Sequence, residues 1–220
     1  MRPNRYLDTD GTWLQLLTDP AQTQGRAALF LDRDGVLVEE VEYLHRAEDA
    51  VPIPGAAEII GGANRRGVPV VIVSNQSGIA RGYYGWTEFG AVQRAILRQL
   101  RGRGASVDAV VACPHYPDHP DRKPRPGMLL KAADRLGLDR KHSWIAGDKP
   151  DDLLAGRAAG LRGGILVLTG HGRPHRAEAL ALETEAFRAQ VENSLGEAGW
   201  VLDYLSPWAR RNSAAAQERR

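Results

Sequence analysis

Four short runs of the chain carry carboxylates, a hydroxyl and cations at spacings that suit phosphate chemistry. They are Asp32-Arg33-Asp34-Gly35, Ser74-Asn75-Gln76-Ser77-Gly78, Arg122-Lys123-Pro124 and Gly147-Asp148-Lys149-Pro150-Asp151-Asp152. A carboxylate such as Asp32 can attack phosphorus and form an aspartyl phosphate. Asp34, two residues on, can protonate the leaving oxygen and then activate water. Phosphate and carboxylate repel, so a cation must sit between them. Asp32 and Asp148 supply the charge for octahedral Mg²⁺, which keeps several waters and takes a phosphate oxygen. Lys123 is the candidate to neutralise the transferring phosphoryl group. The Ser74 hydroxyl and Asn75, with backbone N–H groups at a helix start, suit the remaining phosphate oxygens.

These groups must be held by something rigid. Short apolar runs recur at Ala27–Leu31, Val68–Val73, Val107–Ala112, Ser143–Ala146 and Gly164–Leu168, and each reads as a buried strand. Helix-like spacing of apolar residues fills Gly55–Arg66, Trp86–Arg103, Pro126–Leu136 and Asp151–Ala159 between them. Pro54 and Pro126 stand where first helical turns begin, and Gly67, Gly104, Gly137 and Gly160 where helices end. Alternating strands and helices predict a three-layer, Rossmann-like α/β fold, a parallel sheet with helices on both faces. Ligands bind at the carboxyl ends of strands in such sheets. The polar runs fall at four strand ends, which is the main argument that they form one site. Beyond Leu168 the pattern weakens. Ala177–Val191 reads as helical, Trp200–Leu205 as a last edge strand, and Trp13–Leu17 as a short helix.

Composition narrows the classes of function. The chain has 220 residues, enough for one good-sized domain, and its formal net charge of +2 gives no support for nucleic-acid binding. Cys113 is the single cysteine, so no intramolecular disulfide can form. The start of the chain lacks the apolar run of a signal peptide, and no stretch has the length to cross a bilayer. A cytoplasmic protein is therefore expected, as a monomer or small homo-oligomer, with a small phosphorylated metabolite as partner and neither nucleic acid nor membrane. The expected layout is an extension over 1–25, one domain over 26–206, and a basic, flexible tail over 207–220.

The ordered set LDRDGV, VSNQSG, RKP and GDKPDD resembles the haloacid dehalogenase (HAD) superfamily of phosphatases over about Ala27 to Leu168. The runs SNQSGIARGYY, CPH, RKPRPGMLLKAADRLGLD and GDKPDDLLAGRAAG are similar to its branch of heptose-bisphosphate and histidinol-phosphate phosphatases. The resemblance implies Asp32 as nucleophile and Asp34 as acid/base. It implies Mg²⁺ on Asp32, Asp148 and the Asp34 backbone, with Ser74 and Lys123 on the phosphoryl group. It places Arg122 on the distal part of the substrate, and Asn75, Gln76, Ser77, Lys149 and the segment Glu40–Tyr43, with Tyr43, around it. It also implies no large cap domain. The substrate expected is a heptose 1,7-bisphosphate, with histidinol phosphate or another small ester as the alternative. A non-catalytic phosphate-binding module would be expected to have lost a carboxylate or the lysine, and none is lost.

Relatives of this branch often carry a zinc loop, Cys-x-His followed by Cys-x-Cys. Here Cys113-Pro114-His115 is present, but His119-Pro120-Asp121 stands in the second position. Cys113, His115, His119 and Asp121 could chemically hold Zn²⁺. The other reading is a metal-free loop stiffened by Pro114, Pro117 and Pro120. Plainer readings apply elsewhere. Asp8-Thr9-Asp10-Gly11-Thr12 mimics the first motif, but without a strand before it the run reads as a turn. Asp151 and Asp152 suit a helix start, and the alternative reading has either of them touching the metal through water. His171 and His175 read as surface residues, and the tryptophans as packing.

Overall fold

The computed structural model describes residues 3–217. Seven strands form one sheet in the order β1-β4-β3-β2-β5-β6-β7. They are β1 (Trp13–Leu16), β2 (Leu29–Leu31), β3 (Val70–Asn75), β4 (Ala109–Cys113), β5 (Trp144–Gly147), β6 (Gly163–Val167) and β7 (Arg188–Glu192). All neighbours run parallel except β1, which pairs antiparallel with β4. The helices are α1 (Ala56–Arg65), α2 (Ser77–Ala80), α3 (Trp86–Gly102), α4 (Gly127–Leu136), α5 (Pro150–Ala158), α6 (Arg176–Leu180) and α7 (Trp200–Gln217).

Strand alternation builds the two cores. Leu29, Leu31, Val70, Ile72, Val110 and Ala112 face one side, where α1, α3 and α7 cover them with Ile60, Phe89, Ile96 and Leu205. Phe30, Val71, Val73, Val111 and Cys113 face the other, against Met128, Leu129 and Leu136 of α4 and Leu153 of α5. Both faces of the central strands are dry, which is why their sequences are continuous apolar runs. Among the described residues no cap domain stands over the sheet. The segment between β2 and α1 carries the 3-10 turn Ala47–Asp49 and two isolated bridges at Val38.

Three readings from sequence need correction. Trp13–Leu16 is a strand, not a helix, so the segment before residue 26 supplies an edge of the sheet. Trp200–Leu205 is helical and opens α7, with Val201, Leu202 and Leu205 buried on one side. The stretch 177–191 is helical only as far as Leu180 and then yields β7. The backbone of α7 continues through the first part of the tail to Gln217, and residues 218–220 lie outside the described residues. No helix among the described residues is long and apolar enough to cross a membrane.

Candidate active site

The chain runs from β2 outward to β3 on one side and returns to β5 on the other, so β2 lies at the topological switch point. Asp32 follows β2 directly and donates its backbone N–H to Ala146 at 2.9 Å, which locks its position against β5. Asp148 follows β5 in the same way. Ser74 and Asn75 end β3, and Lys123 arrives on the long loop after β4. A cavity of about 490 Å³ opens over these strand ends, lined by Asp32, Asp34, Ser74, Arg122, Lys123 and Lys149 among others.

Lys123 is the hub. Its Nζ donates to Asp32 Oδ1 at 2.8 Å, to Asp152 Oδ1 at 2.5 Å and to the Val73 carbonyl at 2.8 Å. Three acceptors saturate an ammonium. Burial alone would lower its pKa, but Asp152 and Asp32 overcome that and raise it, so it stays charged. Asn75 fixes the lysine from behind. Its amide donates to the Lys123 carbonyl at 2.9 Å and accepts from the Lys123 N–H at 3.1 Å. Asn75 therefore borders the cavity but uses its side chain to clamp Lys123.

Two carboxylates, Asp32 and Asp152, share that ammonium, and a third, Asp148, stands beside them without a bond to it. Asp32, Asp148 and Asp152 are 9%, 0% and 2% exposed, and they offer oxygens within 4.8 Å of one another. Asp148 Oδ2 accepts from the His171 N–H at 2.9 Å, while its buried Oδ1 has no partner. Such an orphan is costly unless a cation satisfies it. Burial and the neighbouring Asp32 push the Asp148 carboxyl up. Asp152 is pushed up to about 7 by burial and by Asp32, against the pull of Lys123. Oxygen donors, excess negative charge and an orphaned acceptor fit a hard divalent cation. Gly35 and Gly170 make room for this arrangement. Both have positive φ, 76° and 57°, and a Cβ on either would strike the Asp148 carboxylate.

Asp34 points along the cavity wall. Arg33 grips its carboxylate from Nε at 2.9 Å and Nη2 at 2.8 Å, and Gln76 Nε2 adds a bond at 3.2 Å. Gln76 Nε2 also reaches Ser74 Oγ at 2.8 Å, and its Oε1 accepts from Tyr84 at 2.7 Å. This chain of bonds sets the rotamers of both Asp34 and Ser74. Gln76, Ser77, Arg122, Lys149 and Tyr43 all line the cavity.

Several residues escaped the sequence reading. Arg33 is buried beneath Asp34, and Asp152 grips Lys123 besides capping α5, where it accepts from the Lys149 N–H at 3.1 Å. His171 is half exposed, as a surface residue should be, and it also lines the cavity, 3.6 Å from Glu40. It stands just past β6, so the strand-end rule would have found it. Burial and Asp34 push the Glu40 carboxyl up.

The zinc set is not brought together. Among the described residues, Cys113, His115, His119 and Asp121 do not supply a cluster of three metal-binding groups. Cys113 points into the core between β4 and α4, where burial pushes its thiol up to about 11. A cysteine that ligates zinc does so as a thiolate. His115 and His119 stack on each other with centroids 3.8 Å apart, and Asp121 is bonded to Thr12 and Lys131.

The family model for HAD-hydrolase-like proteins matches residues 121–198. D-glycero-β-D-manno-heptose-1,7-bisphosphate 7-phosphatase of Mesorhizobium japonicum is 45% identical over 170 residues, 73% of this chain and 78% of that protein. The enzyme of the same name from Vibrio cholerae is 38% identical over 71% of this chain and 89% of its own length. Among solved structures, an HAD-like protein from Mesorhizobium loti superposes with TM-score 0.82 at 38% identity, covering 94% of this chain and 99% of that one. D,D-heptose 1,7-bisphosphate phosphatase from B. bronchiseptica, solved with magnesium and phosphate, gives TM-score 0.73 at 32% identity over 80% of this chain and 97% of its own. The chain belongs to the HAD-like hydrolase family, as one of its phosphatases.

Proposed function

We propose that this chain is a Mg²⁺-dependent phosphomonoesterase that removes the 7-phosphate from a D-glycero-D-manno-heptose 1,7-bisphosphate. The observation that carries the reading is the buried Asp32 carboxylate, held by Lys123 beside the orphaned Oδ1 of Asp148 at the switch point of the sheet. The names of the relatives support the substrate, and the magnesium and phosphate in the B. bronchiseptica structure support the cofactor.

Asp32 attacks phosphorus through one carboxylate oxygen, and the bond from phosphorus to the sugar oxygen breaks. Asp34 gives its proton to that departing oxygen. Water then attacks the aspartyl phosphate, Asp34 takes the water's proton, and inorganic phosphate leaves with Asp32 regenerated. Lys123 keeps its charge throughout and, with its three N–H groups already bonded, stabilises the phosphoryl group through that charge. Ser74 Oγ, oriented by Gln76, contacts another of them. Asp32, Asp148 and the Asp34 backbone would hold the Mg²⁺, which supplies charge neutralisation between carboxylate and phosphate. Arg122 and Lys149, both lining the cavity, suit the anion at the far end of a bisphosphate, and Tyr43, also in the lining, suits its sugar.

The test is a turnover comparison with Mg²⁺ on heptose 1,7-bisphosphate and histidinol phosphate, with products identified by phosphorus NMR. The reading expects heptose 1-phosphate and the higher kcat/KM on the bisphosphate. Preference for histidinol phosphate, or loss of the 1-phosphate, would overturn it.

A further inference from the structure

The loop that carries Arg122 and Lys123 has two anchors, and only one belongs to the catalytic centre. Lys123 is fixed by Asp32, Asp152, Val73 and the Asn75 clamp. The loop's other half, from Pro114 to Arg122, is fixed by the N-terminal segment and by Lys131 on the first turns of α4.

Asp8 folds the start of this segment into a turn, its Oδ1 accepting from the N–H groups of Asp10 at 3.0 Å and Thr12 at 2.9 Å. That turn lies against the loop. The Asp10 carbonyl meets His115 Nε2 at 2.7 Å, and Thr12 Oγ1 donates to Asp121 Oδ2 at 2.6 Å. Lys131 Nζ joins all three carboxylates, reaching Asp8 at 2.6 Å, Asp10 at 3.2 Å and Asp121. Partial burial alone would lower the Lys131 pKa, but the bonds from Asp121 and Asp8 outweigh it and raise it. The loop also packs hard against α4, since a Cβ at Gly127 would run into Asp121 and the Pro120 carbonyl. Arg122 hangs from this clamped half. Its N–H donates to the His119 carbonyl at 2.9 Å, its Nη1 to the His115 carbonyl at 3.4 Å, and its guanidinium lies over Tyr116.

We propose that Lys131 is a positioning residue for substrate recognition: with Asp8, Asp10 and Asp121 it clamps the N-terminal segment onto the loop and so holds Arg122 at the cavity wall. The inference rests on the reading above, that Arg122 meets the distal anion of a bisphosphate. It separates two functions of one loop. Lys123 serves the phosphoryl group whatever the rest of the substrate, whereas Arg122 serves only substrates with a distal anion.

The test uses the full-length chain with Mg²⁺ and two substrates, heptose 1,7-bisphosphate and p-nitrophenyl phosphate, which has no distal anion. Lys131→Met is expected to raise KM for the bisphosphate by about tenfold, below the roughly 100-fold that a misplacement of about 1 Å can cost. Its kcat on the bisphosphate and its kcat/KM on p-nitrophenyl phosphate should stay within about twofold of wild type. Lys131→Arg should restore KM, and Thr12→Val, which loosens the clamp from its other side, should raise it. Adding Lys131→Met to Arg122→Ala should raise KM no further than Arg122→Ala alone, because both act through one group. Equal losses on both substrates, or multiplicative losses in the double variant, would overturn the inference. A KM unchanged in Lys131→Met beside a raised KM in Arg122→Ala would overturn it alone. An unchanged KM in Arg122→Ala itself would overturn the reading of Arg122 and this inference together.

Discussion

Lys123 and Lys131 stand at the two ends of one stretch of chain, and each is bonded among aspartates. Around Lys123 are Asp32, Asp148 and Asp152; around Lys131 are Asp8, Asp10 and Asp121. The formal charges are the same, three carboxylates to one ammonium. What differs is water. The Lys123 group is buried throughout, and one carboxylate oxygen has no partner. At the other group Asp121 is buried, but the Lys131 side chain is 27% exposed, that of Asp8 20% and that of Asp10 54%. Surplus negative charge there is hydrated and screened. In the buried group it is not, and a divalent cation is the remedy. The same residue types therefore make a reactive centre in one place and a fastener in the other.

The comparison can be broken most forcefully at Lys123. Lys123→Met should lower kcat by about 10²–10³-fold on any phosphate ester, the scale of losing a positioned cation or oxyanion donor. Loss on one substrate only would contradict its assigned part. Next comes the metal. Asp148→Asn should weaken Mg²⁺ activation by well over the roughly 10–100-fold seen for outer-sphere partners, measured as the Mg²⁺ concentration for half-maximal rate.

The pH dependence sharpens the same contrast. The folded Asp152 carboxyl titrates near about 7, above its ordinary 3.8. Without metal, the folded state thus binds more protons than the unfolded state between those values. Its stability contribution is fully present below the ordinary value and lost as pH rises through about 7. Protein treated with EDTA should melt lower at pH 8 than at pH 5.5. Added Mg²⁺ should restore more at pH 8, because burial and Asp32 push the Asp148 carboxyl up and protons compete with the cation less as pH rises. A flat profile would mean the buried carboxylates carry no excess charge. The smallest effect belongs to the fastener. Lys131→Met should cost below about 2 kcal/mol of stability in urea titrations, less still at high salt.

Much of this was legible in the chain, and the limits have physical causes. Strands buried on both faces appear as apolar runs, so Leu29–Leu31, Val70–Asn75 and Ala109–Cys113 announce themselves. Edge strands do not. The run of β7, Arg-Ala-Gln-Val-Glu, offers two apolar residues on a half-covered rim, and β1 is defined by its partner β4. Val201, Leu202 and Leu205 have helical spacing, but a window of six residues also admits a strand. The candidate carboxylates Asp32 and Asp148 stood out because strand ends concentrate such groups. Asp152 was read as a cap or a water-mediated metal contact; it does cap, and its grip on Lys123 depends on a fold that closes 29 residues of separation. The turn at Asp8 was read correctly as a turn, yet its bond to Lys131 spans 123 residues and leaves no local trace.

The central claim is that Asp32 takes the phosphoryl group. Acid-quenching the enzyme during turnover of heptose 1,7-bisphosphate with Mg²⁺, then mapping peptides by mass spectrometry, tests it directly. The account predicts one added phosphoryl group on the peptide containing Asp32, absent in Asp32→Asn, whose turnover falls by about 10⁴-fold or more. A phosphoryl group on another residue, or near-normal turnover in Asp32→Asn, would contradict it.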